Sequence, residues 1–358
     1  MNNSWYSYSV TDVGIKRSVN QDSIYADDIQ NIWVVADGMG GHREGDKASQ
    51  AIVKFFKDTE FSNIMSERVI QIEKSIRALN TELQNYSTDE LNGQLIGSTI
   101  VVFTVCQGVC ATLWAGDSRC YKVNDNKISQ VSWDHSYIDE LLRSGHMVAE
   151  EAATSKLSNV ITRAVGAHDD LYFDHVISSY SDDDTFLLCS DGLTNELSDK
   201  TINDYIAQHG CSQQSIDNLL SKTLEHGARD NLSIILISCK QRRPSNPQES
   251  KLIEGFSNKL NKLADSLFNK ELKLDSYYQQ ATSIIDQSIS SHHQFKGQDT
   301  QELPVIQSTQ VINEKPTVEF PKVSQPETYN DQSRANYFLL LSIIVTLLLF
   351  LLYLMLIE

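Results

Sequence analysis

Cysteine and proline are scarce in this sequence, and each is confined to one part of it. The six cysteines lie before residue 240 and include no Cys-x-x-Cys pair, which disfavours a regular disulfide framework and fits buried free thiols in a reducing compartment. The six prolines all follow residue 243. This split predicts a domain boundary near Lys240.

Basic residues are also in short supply. The chain has 30 Lys and Arg against 47 Asp and Glu, a formal net charge of −17. This balance disfavours nucleic-acid binding, which needs a basic surface. It suits a domain that neutralises carboxylates with bound cations, although ordinary solubility charge would also explain it. The first ten residues lack the basic and apolar regions of a secretory signal peptide.

One long apolar run interrupts this polar sequence. Residues 335–357 carry no charge, and Arg334 stands directly before them. As a helix they would span about 34 Å, enough to cross the hydrocarbon core of a membrane. With no signal peptide, we expect a single-pass anchor that leaves the bulk of the chain in the cytoplasm.

The composition predicts four regions: a domain over 1–240, a linker with an amphipathic segment over 241–286, a flexible Gln/Ser/Pro-rich linker over 287–334, and the membrane helix over 335–357. Within 250–285, apolar residues recur at helical spacing at Leu252, Phe256, Leu260, Leu263 and Leu267. They fit one helix or a folded-back pair, and either a helix packed on the domain or a partner site.

The first region alternates unevenly between strand and helix patterns. Helices are predicted over 45–57, 65–85, 199–207 and 213–226, and a helical, polar stretch over 136–165. Strands are predicted over 5–13, 22–27, 31–36, 98–105, 109–115, 119–124, 127–131, 171–178, 184–190 and 232–238. Runs of strands followed by helices indicate an α+β fold with antiparallel sheets.

Two Asp-Gly pairs each follow an apolar strand. Asp37-Gly38 ends the run from Val34, and Asp191-Gly192 ends the run from Phe186. Either pair alone fits an ordinary turn. Glycine also permits the backbone to turn so that its carbonyl faces the same site as the carboxylate. Together the pairs favour a Mg²⁺ or Mn²⁺ site.

Other polar motifs extend this set. Asp117 and Asp230 each stand beside a strand, although Asp230-Asn231 also fits an Asx turn. Asp22 lies in a polar run close after Arg17, whose planar guanidinium suits a phosphate group. The four strand-end aspartates would supply the ligands of a cation cluster, with Arg17 completing a phosphate site.

The ordered motifs over residues 5–240, including Asp37-Gly-Met-Gly-Gly-His42, resemble the bacterial form of the protein phosphatase 2C (PPM) family of metal-dependent serine/threonine phosphatases. The resemblance implies a β-sandwich of two antiparallel sheets flanked by helices. It also implies two Mn²⁺ or Mg²⁺ ions with a possible third, at one edge of the sandwich.

The resemblance assigns roles to individual residues. Asp37 would bridge two cations, with Asp191 and Asp230 on the first cation and the Gly38 carbonyl on the second. Asp117 would bind a third cation together with Asp191.

Phosphoserine and phosphothreonine would then be hydrolysed by a hydroxide held between two cations, with Asp22 orienting the water and Arg17 holding the phosphate. Met39 stands where eukaryotic members have a histidine, so the acid for the leaving group is open between His42, His135 and a water. No cysteine has the surroundings of a thiolate phosphatase.

The implied partners are phosphorylated proteins, including a serine/threonine kinase, together with the inner (cytoplasmic) membrane through the C-terminal helix. The alternative is a membrane sensor or scaffold of the same fold that binds a kinase or a phosphoprotein with little turnover. Retention of all four metal aspartates weighs against that alternative.

Overall fold

The computed structural model describes residues 5–40, 44–148, 151, 160–181, 183–239 and 247–296. The strands are β1 (Trp5–Asp12), β2 (Asp22–Asp27), β3 (Ile32–Gly40), β4 (Ile96–Ser98), β5 (Ile100–Cys106), β6 (Val109–Ala115), β7 (Arg119–Asn124), β8 (Lys127–Gln130), β9 (Asp174–Ser178), β10 (Thr185–Cys189) and β11 (Leu232–Cys239). The helices are α1 (Gly45–Asp58), α2 (Met65–Glu90), α3 (Tyr137–Arg143), α4 (Asp191–Thr194), α5 (Asp199–His209), α6 (Gln213–His226), α7 (Pro247–Phe268) and α8 (Leu274–Lys296).

The strands form two antiparallel sheets. The first has the order β1-β11-β10-β7-β8, and the second has the order β2-β3-β5-β6-β9, with β4 paired to β3. The predicted α+β class, two antiparallel sheets flanked by helices, is confirmed.

The two sheets pack face to face over an apolar core. In β10, Phe186 and Leu188 belong to the cluster between the sheets, while Leu187 and Cys189 belong to a second cluster on the opposite face. Phe186 stacks on Phe103 of the other sheet, with ring centroids 4.3 Å apart. Burying a side chain of this size contributes roughly 1.5–3 kcal/mol. The alternation in β10 therefore places apolar groups on both faces of the first sheet.

Helices cover the outer faces. On the first sheet, Ile202 and Ile206 of α5 and Ile216 and Leu219 of α6 are fully or almost fully buried, at the spacing of one helical face. On the second sheet, α1 packs against β2 and β3.

The helices α7 and α8 form a pair whose first member packs on the second sheet. Of the two arrangements that the sequence left open for residues 250–285, the structure has the helical pair. On α7, Phe256 and Leu260 are buried as the periodicity predicts, whereas Leu252 is exposed and the buried position is Ile253. Helix α7 lies against β9, and α8 lies against α7 and α2.

Polar side chains of α7 form hydrogen bonds with backbone groups along the open edge of β9. The Ser257 hydroxyl accepts a hydrogen bond from the Ile177 N–H (2.8 Å) and lies 2.6 Å from the Ile177 carbonyl oxygen, to which it donates. One turn later, Asn261 Oδ1 accepts from the His175 N–H at 3.1 Å. An uncovered edge strand would leave such groups open to pairing with another chain. Helix α7 therefore covers this edge of the sandwich.

A buried polar cluster ties α8 to the same strand. Glu73 of α2 accepts at one oxygen, Oε1, from the Tyr277 hydroxyl of α8 (2.9 Å) and lies 2.5 Å from His175 Nε2. All three side chains are almost completely buried. Burial raises the pKa of Glu73, but His175 and its other partners outweigh burial and hold the pKa below its usual value. This cluster joins three elements that are far apart in sequence.

Several predicted boundaries differ from the structure: β3, for example, continues through Asp37 to Gly40 instead of ending at residue 36. In the stretch 136–165, which was predicted to be helical, α3 covers only Tyr137–Arg143 of the described residues. The helix ends before Gly145, which adopts a φ of 73°. The strand predicted from residue 171 begins at Asp174, which pairs with Trp114 near the end of β6. The Leu171 carbonyl instead accepts from Arg77.

Within the described ranges, no helix has the length and apolar character needed to span a membrane. The predicted membrane helix, 335–357, lies outside these ranges. Of the flexible linker predicted over 287–334, residues 287–296 belong instead to α8, and the remainder lies outside the described ranges.

Candidate metal centre

Asp22 and Asp37 face one another across adjacent strands. They are directly opposite in the antiparallel pairing of β2 and β3. The apolar run before Asp37 is completely buried, which fixes β3 in the sandwich. The Asp37 carbonyl accepts from the Thr99 N–H (2.8 Å), and its N–H donates to Thr99 Oγ1 (3.1 Å). Both carboxylates therefore extend from one rigid edge of the second sheet.

Gly38 is required by a close backbone approach. A Cβ at this position would lie 2.1 Å from the carbonyl oxygen of Gly45, the first residue of α1. The Gly38 N–H donates to the Gln21 carbonyl at 3.0 Å. The predicted backbone ligand thus lies between the β2 entry and the start of α1.

The first sheet contributes Asp191 and Asp230. Asp191 begins α4 directly after β10, and Asp230 precedes β11, which pairs with β10. A Cβ at Gly192 would lie 1.9 Å from the Asn231 carbonyl oxygen, so the second Asp-Gly pair is also a close approach. Asp191 Oδ2 accepts from Asn195 Nδ2 at 2.9 Å.

Arg17 lies on a loop that is held at both ends. Asn231 Nδ2 donates to the carbonyls of Val13 (2.9 Å) and Val19 (3.0 Å). The half-exposed guanidinium of Arg17 donates to Asp230 Oδ2 at 2.7 Å. Asn231 therefore positions the loop, and its neighbour Asp230 binds the arginine on it.

Asp117 stands on the connection between the two sheets, after β6 and before β7. Gly116 before it has a φ of 122°, and a Cβ there would lie 2.5 Å from Thr99 Cβ. Only glycine adopts this conformation without strain. Asp117 itself is buried, 8% exposed.

The five carboxylates act on one another electrostatically. Burial raises the pKa of Asp37 well above its usual value, and Asp22, Asp191, Asp117 and Asp230 raise it further. Burial also raises the pKa of Asp22 to about 6, with its hydrogen bonds opposing the shift, and the pKa of Asp117 to about 8, with Asp191 adding to the shift. The structure therefore places the other four predicted aspartates close enough to Asp37 to act on it electrostatically.

The donor set fits a hard divalent cation. Oδ1 atoms of Asp22, Asp117 and Asp191 are buried without a hydrogen-bond partner. Carboxylate oxygens are the ligands that Mg²⁺ and Mn²⁺ prefer, and bound cations would offset the mutual repulsion. Among the described residues, however, no three His, Cys, Asp or Glu side chains are arranged closely enough to hold a metal ion. Asp230 is turned toward Arg17 and Asp191 toward Asn195.

The candidate acids have different outcomes. His42 lies outside the described residues. His135 is buried, and both ring nitrogens are engaged: Nδ1 accepts from the Gly116 N–H (3.1 Å), and Nε2 lies 3.1 Å from Asp174 Oδ2. Because neither nitrogen is free to reach a substrate, the His135 alternative for the leaving-group acid is not supported.

Several residues that support the site were not predicted from the sequence. Ser190 donates to Asp22 Oδ2 at 2.7 Å and accepts from the Ser233 N–H at 2.9 Å, so it links the two sheets beside the site. Arg163 donates to Asp174 Oδ1 at 3.0 Å. Serine beside an Asp-Gly pair was a visible signal, whereas nothing in the local sequence marks Arg163 or Asp174.

Comparison with known proteins agrees with this geometry. The family model described as Protein phosphatase 2C matches residues 15–235. The serine/threonine phosphatase stp of Listeria monocytogenes serotype 4b is 32% identical over 63% of this chain and 93% of its own length. Among solved structures, PppA of Pseudomonas aeruginosa has a TM-score of 0.60 at 31% identity, over 66% of this chain and 97% of that one. The catalytic domain of PstP in complex with two manganese ions has a TM-score of 0.57 at 26% identity, covering 65% and 97% of the two chains.

Proposed function

The chain belongs to the protein phosphatase 2C family and is a protein serine/threonine phosphatase, and we propose that its activity lies in the carboxylate cluster described above and depends on Mn²⁺. The observation that carries the proposal is the convergence of four carboxylates on Asp37: those of Asp22, Asp117, Asp191 and Asp230. Burial raises the pKa of Asp37, and these four charges raise it further. The binding of two manganese ions by PstP supports the choice of cation.

The proposal assigns the ligands by the family pattern. Asp37 would be shared by two cations, with Asp191 and Asp230 on the first and the Gly38 carbonyl on the second. Asp117 and Asp191 would hold a third. The partnerless buried oxygens of Asp117 and Asp191 support these assignments. We extend the proposal to Mg²⁺, which prefers the same oxygen ligands.

When bound, the cations supply Lewis-acid stabilisation of the phosphoryl oxygens and lower the cost of deprotonating a water near neutral pH. Arg17 would hold the substrate phosphate, because its side chain is half-exposed and already binds a carboxylate at the site. Asp22, fixed through one oxygen by Ser190, would orient the attacking water with the other. His42 stays the proposed acid for the leaving alkoxide.

Cysteine chemistry is not favoured at this site. Burial raises the pKa of Cys110 to about 11 and of Cys120 to about 12, so neither thiol is ionised near neutral pH. Direct hydrolysis of the phosphate ester fits better than a covalent phosphocysteine intermediate.

We further propose that phosphoproteins of a serine/threonine kinase pathway are the substrates. Residues 335–357 would anchor the chain in the inner (cytoplasmic) membrane, with the catalytic domain in the cytoplasm. The uncharged run after Arg334 supports the anchor. The scaffold alternative is not favoured, since all four metal aspartates are present.

The test is phosphate release from a phosphothreonine peptide by the full-length protein in Mn²⁺, in Mg²⁺ and in EDTA. We expect cation-stimulated release that Asp37→Asn abolishes, whereas Asp125→Asn, an exposed aspartate outside the site, leaves it unchanged. Wild-type protein with no cation-stimulated release would contradict the proposal.

A further inference from the structure

The backbone before Asp117 is held by a buried histidine. The Gly116 N–H donates to His135 Nδ1 (3.1 Å), and the Gly116 carbonyl accepts from the His135 N–H (3.0 Å). The His135 ring also lies nearly parallel to Trp114, with an interplanar angle of 14°. Both backbone polar groups of Gly116, the N–H and the carbonyl, are therefore hydrogen-bonded to one residue of a separate loop.

The contacts of the ring define its tautomer. Because Nδ1 accepts a hydrogen bond, the proton lies on Nε2, which faces Asp174 Oδ2 at 3.1 Å. Burial lowers the pKa of His135, which fits a neutral ring. The other oxygen of Asp174 accepts from Arg163 at 3.0 Å. Arg163, Asp174 and His135 thus form a chain of hydrogen bonds that ends at Gly116.

Asp117 directly follows the residue at which this chain of hydrogen bonds ends. Its Oδ1 is buried and has no protein partner. The carboxylate stands on the residue after Gly116, whose φ of 122° is accompanied by the two hydrogen bonds to His135. A change in the Gly116 hydrogen bond would move the carboxylate without touching it.

We propose that His135 is a positioning residue that aims Asp117 at its cation, with Asp174 and Arg163 holding the ring in the required tautomer. The inference rests on the proposed function, because it takes Asp117 as a cation ligand. It replaces the alternative in which His135 is the leaving-group acid. Groups behind metal ligands commonly change metal affinity by about 10- to 100-fold when they are removed.

The test compares two substitutions of the full-length protein. In His135→Asn, the amide oxygen takes the place of Nδ1 and can accept from Gly116. In His135→Gln, the polar group reaches toward Asp174 instead, and the acceptor for Gly116 is lost. We expect isothermal titration with Mn²⁺ to show about 10- to 100-fold weaker binding at the cation site that contains Asp117 in His135→Gln. We expect a smaller change in His135→Asn, and none in the exposed control His226→Gln.

The order of the two variants separates positioning from packing. Gln is closer to His in size, so a role in packing alone predicts that His135→Gln resembles the wild type more than His135→Asn does. That order, or an unchanged Mn²⁺ affinity in His135→Gln, would overturn the inference. Thermal unfolding in EDTA reports how much each variant disturbs the fold itself.

Arg163→Gln provides a second route if the His135 variants fail to fold. Arg163 is only partly buried and lines a cavity of about 460 Å³ with Tyr172 and Phe268, so its substitution disturbs the core less. We expect weaker Mn²⁺ binding in the same direction, and unchanged binding would overturn the inference. Wild-type protein that binds Mn²⁺ but releases no phosphate would contradict the proposed function and leave the binding comparison valid.

Discussion

Arg17 and Asp230 form an ion pair of 2.7 Å between a loop near the start of the chain and the turn that leads into β11. The same aspartate is a proposed cation ligand. Arg17 is thus held at the edge of the carboxylate cluster, where a phosphate could be bound by the arginine and the cations together.

The first prediction concerns this arginine. Arg17→Ala removes the charged hydrogen-bond donor that we propose binds the substrate phosphate. Hydrogen bonds to charged groups contribute about 1.5–3 kcal/mol. We therefore expect kcat/KM for a phosphothreonine peptide to fall by about 10- to 100-fold, mostly through KM. Steady-state kinetics at saturating Mn²⁺ measures this. Arg17→Lys should recover only part of the loss, because lysine lacks the planar pair of donors. A kcat/KM equal to that of the wild type would remove Arg17 from the phosphate site.

The second prediction concerns pH and stability without cations. The pKa values of Asp22 and Asp117, raised to about 6 and about 8 in the fold, exceed the value of about 3.9 for an unfolded aspartate. The unfolded state therefore releases these protons first. The stability that they contribute is complete below pH 4 and is lost as pH rises toward 8. Asp117→Asn should make this loss shallower.

Thermal unfolding in EDTA across pH 5 to 8 measures this slope, with Asp125→Asn as the control. Mn²⁺ should oppose the decline, because cation binding requires ionised ligands. A melting temperature in EDTA that rises steadily over this range would contradict the raised pKa values.

The third prediction compares two asparagines of α7. Asn261→Ala leaves the His175 N–H of β9 without its acceptor, at a cost of about 1 kcal/mol or more. Asn258 is exposed on the same helix, so Asn258→Ala should leave stability unchanged or raise it slightly through helix propensity. Chemical denaturation of both variants, at equal Mn²⁺, measures the difference. Equal stabilities would mean that α7 does not support the strand edge through this contact.

The aspartates of the candidate site were easier to predict from the sequence than the residues that hold the surrounding structure in place. Asp37 and Asp191 could be singled out because each follows an apolar run and precedes a glycine, which is a local signal. The contacts of Ser257, Asn261 and Arg163 arise only when distant segments pack together. A serine or asparagine on a helix carries no mark of the strand that it will cover. Helical spacing likewise placed Leu252 in the core, where packing buries Ile253 instead.

The proposed metal ligands come from both sheets of the sandwich. Asp37 extends from β3 of the second sheet, Asp191 and Asp230 adjoin β10 and β11 of the first, and Asp117 lies on the connection between them. Any ligand held by Asp37 and Asp191 together acts as a cross-link between the sheets, and its binding free energy adds to the cohesion of the fold. Removal of the cations by a chelator should therefore lower the stability of this protein, much as reduction lowers the stability of a protein that is cross-linked by a disulfide.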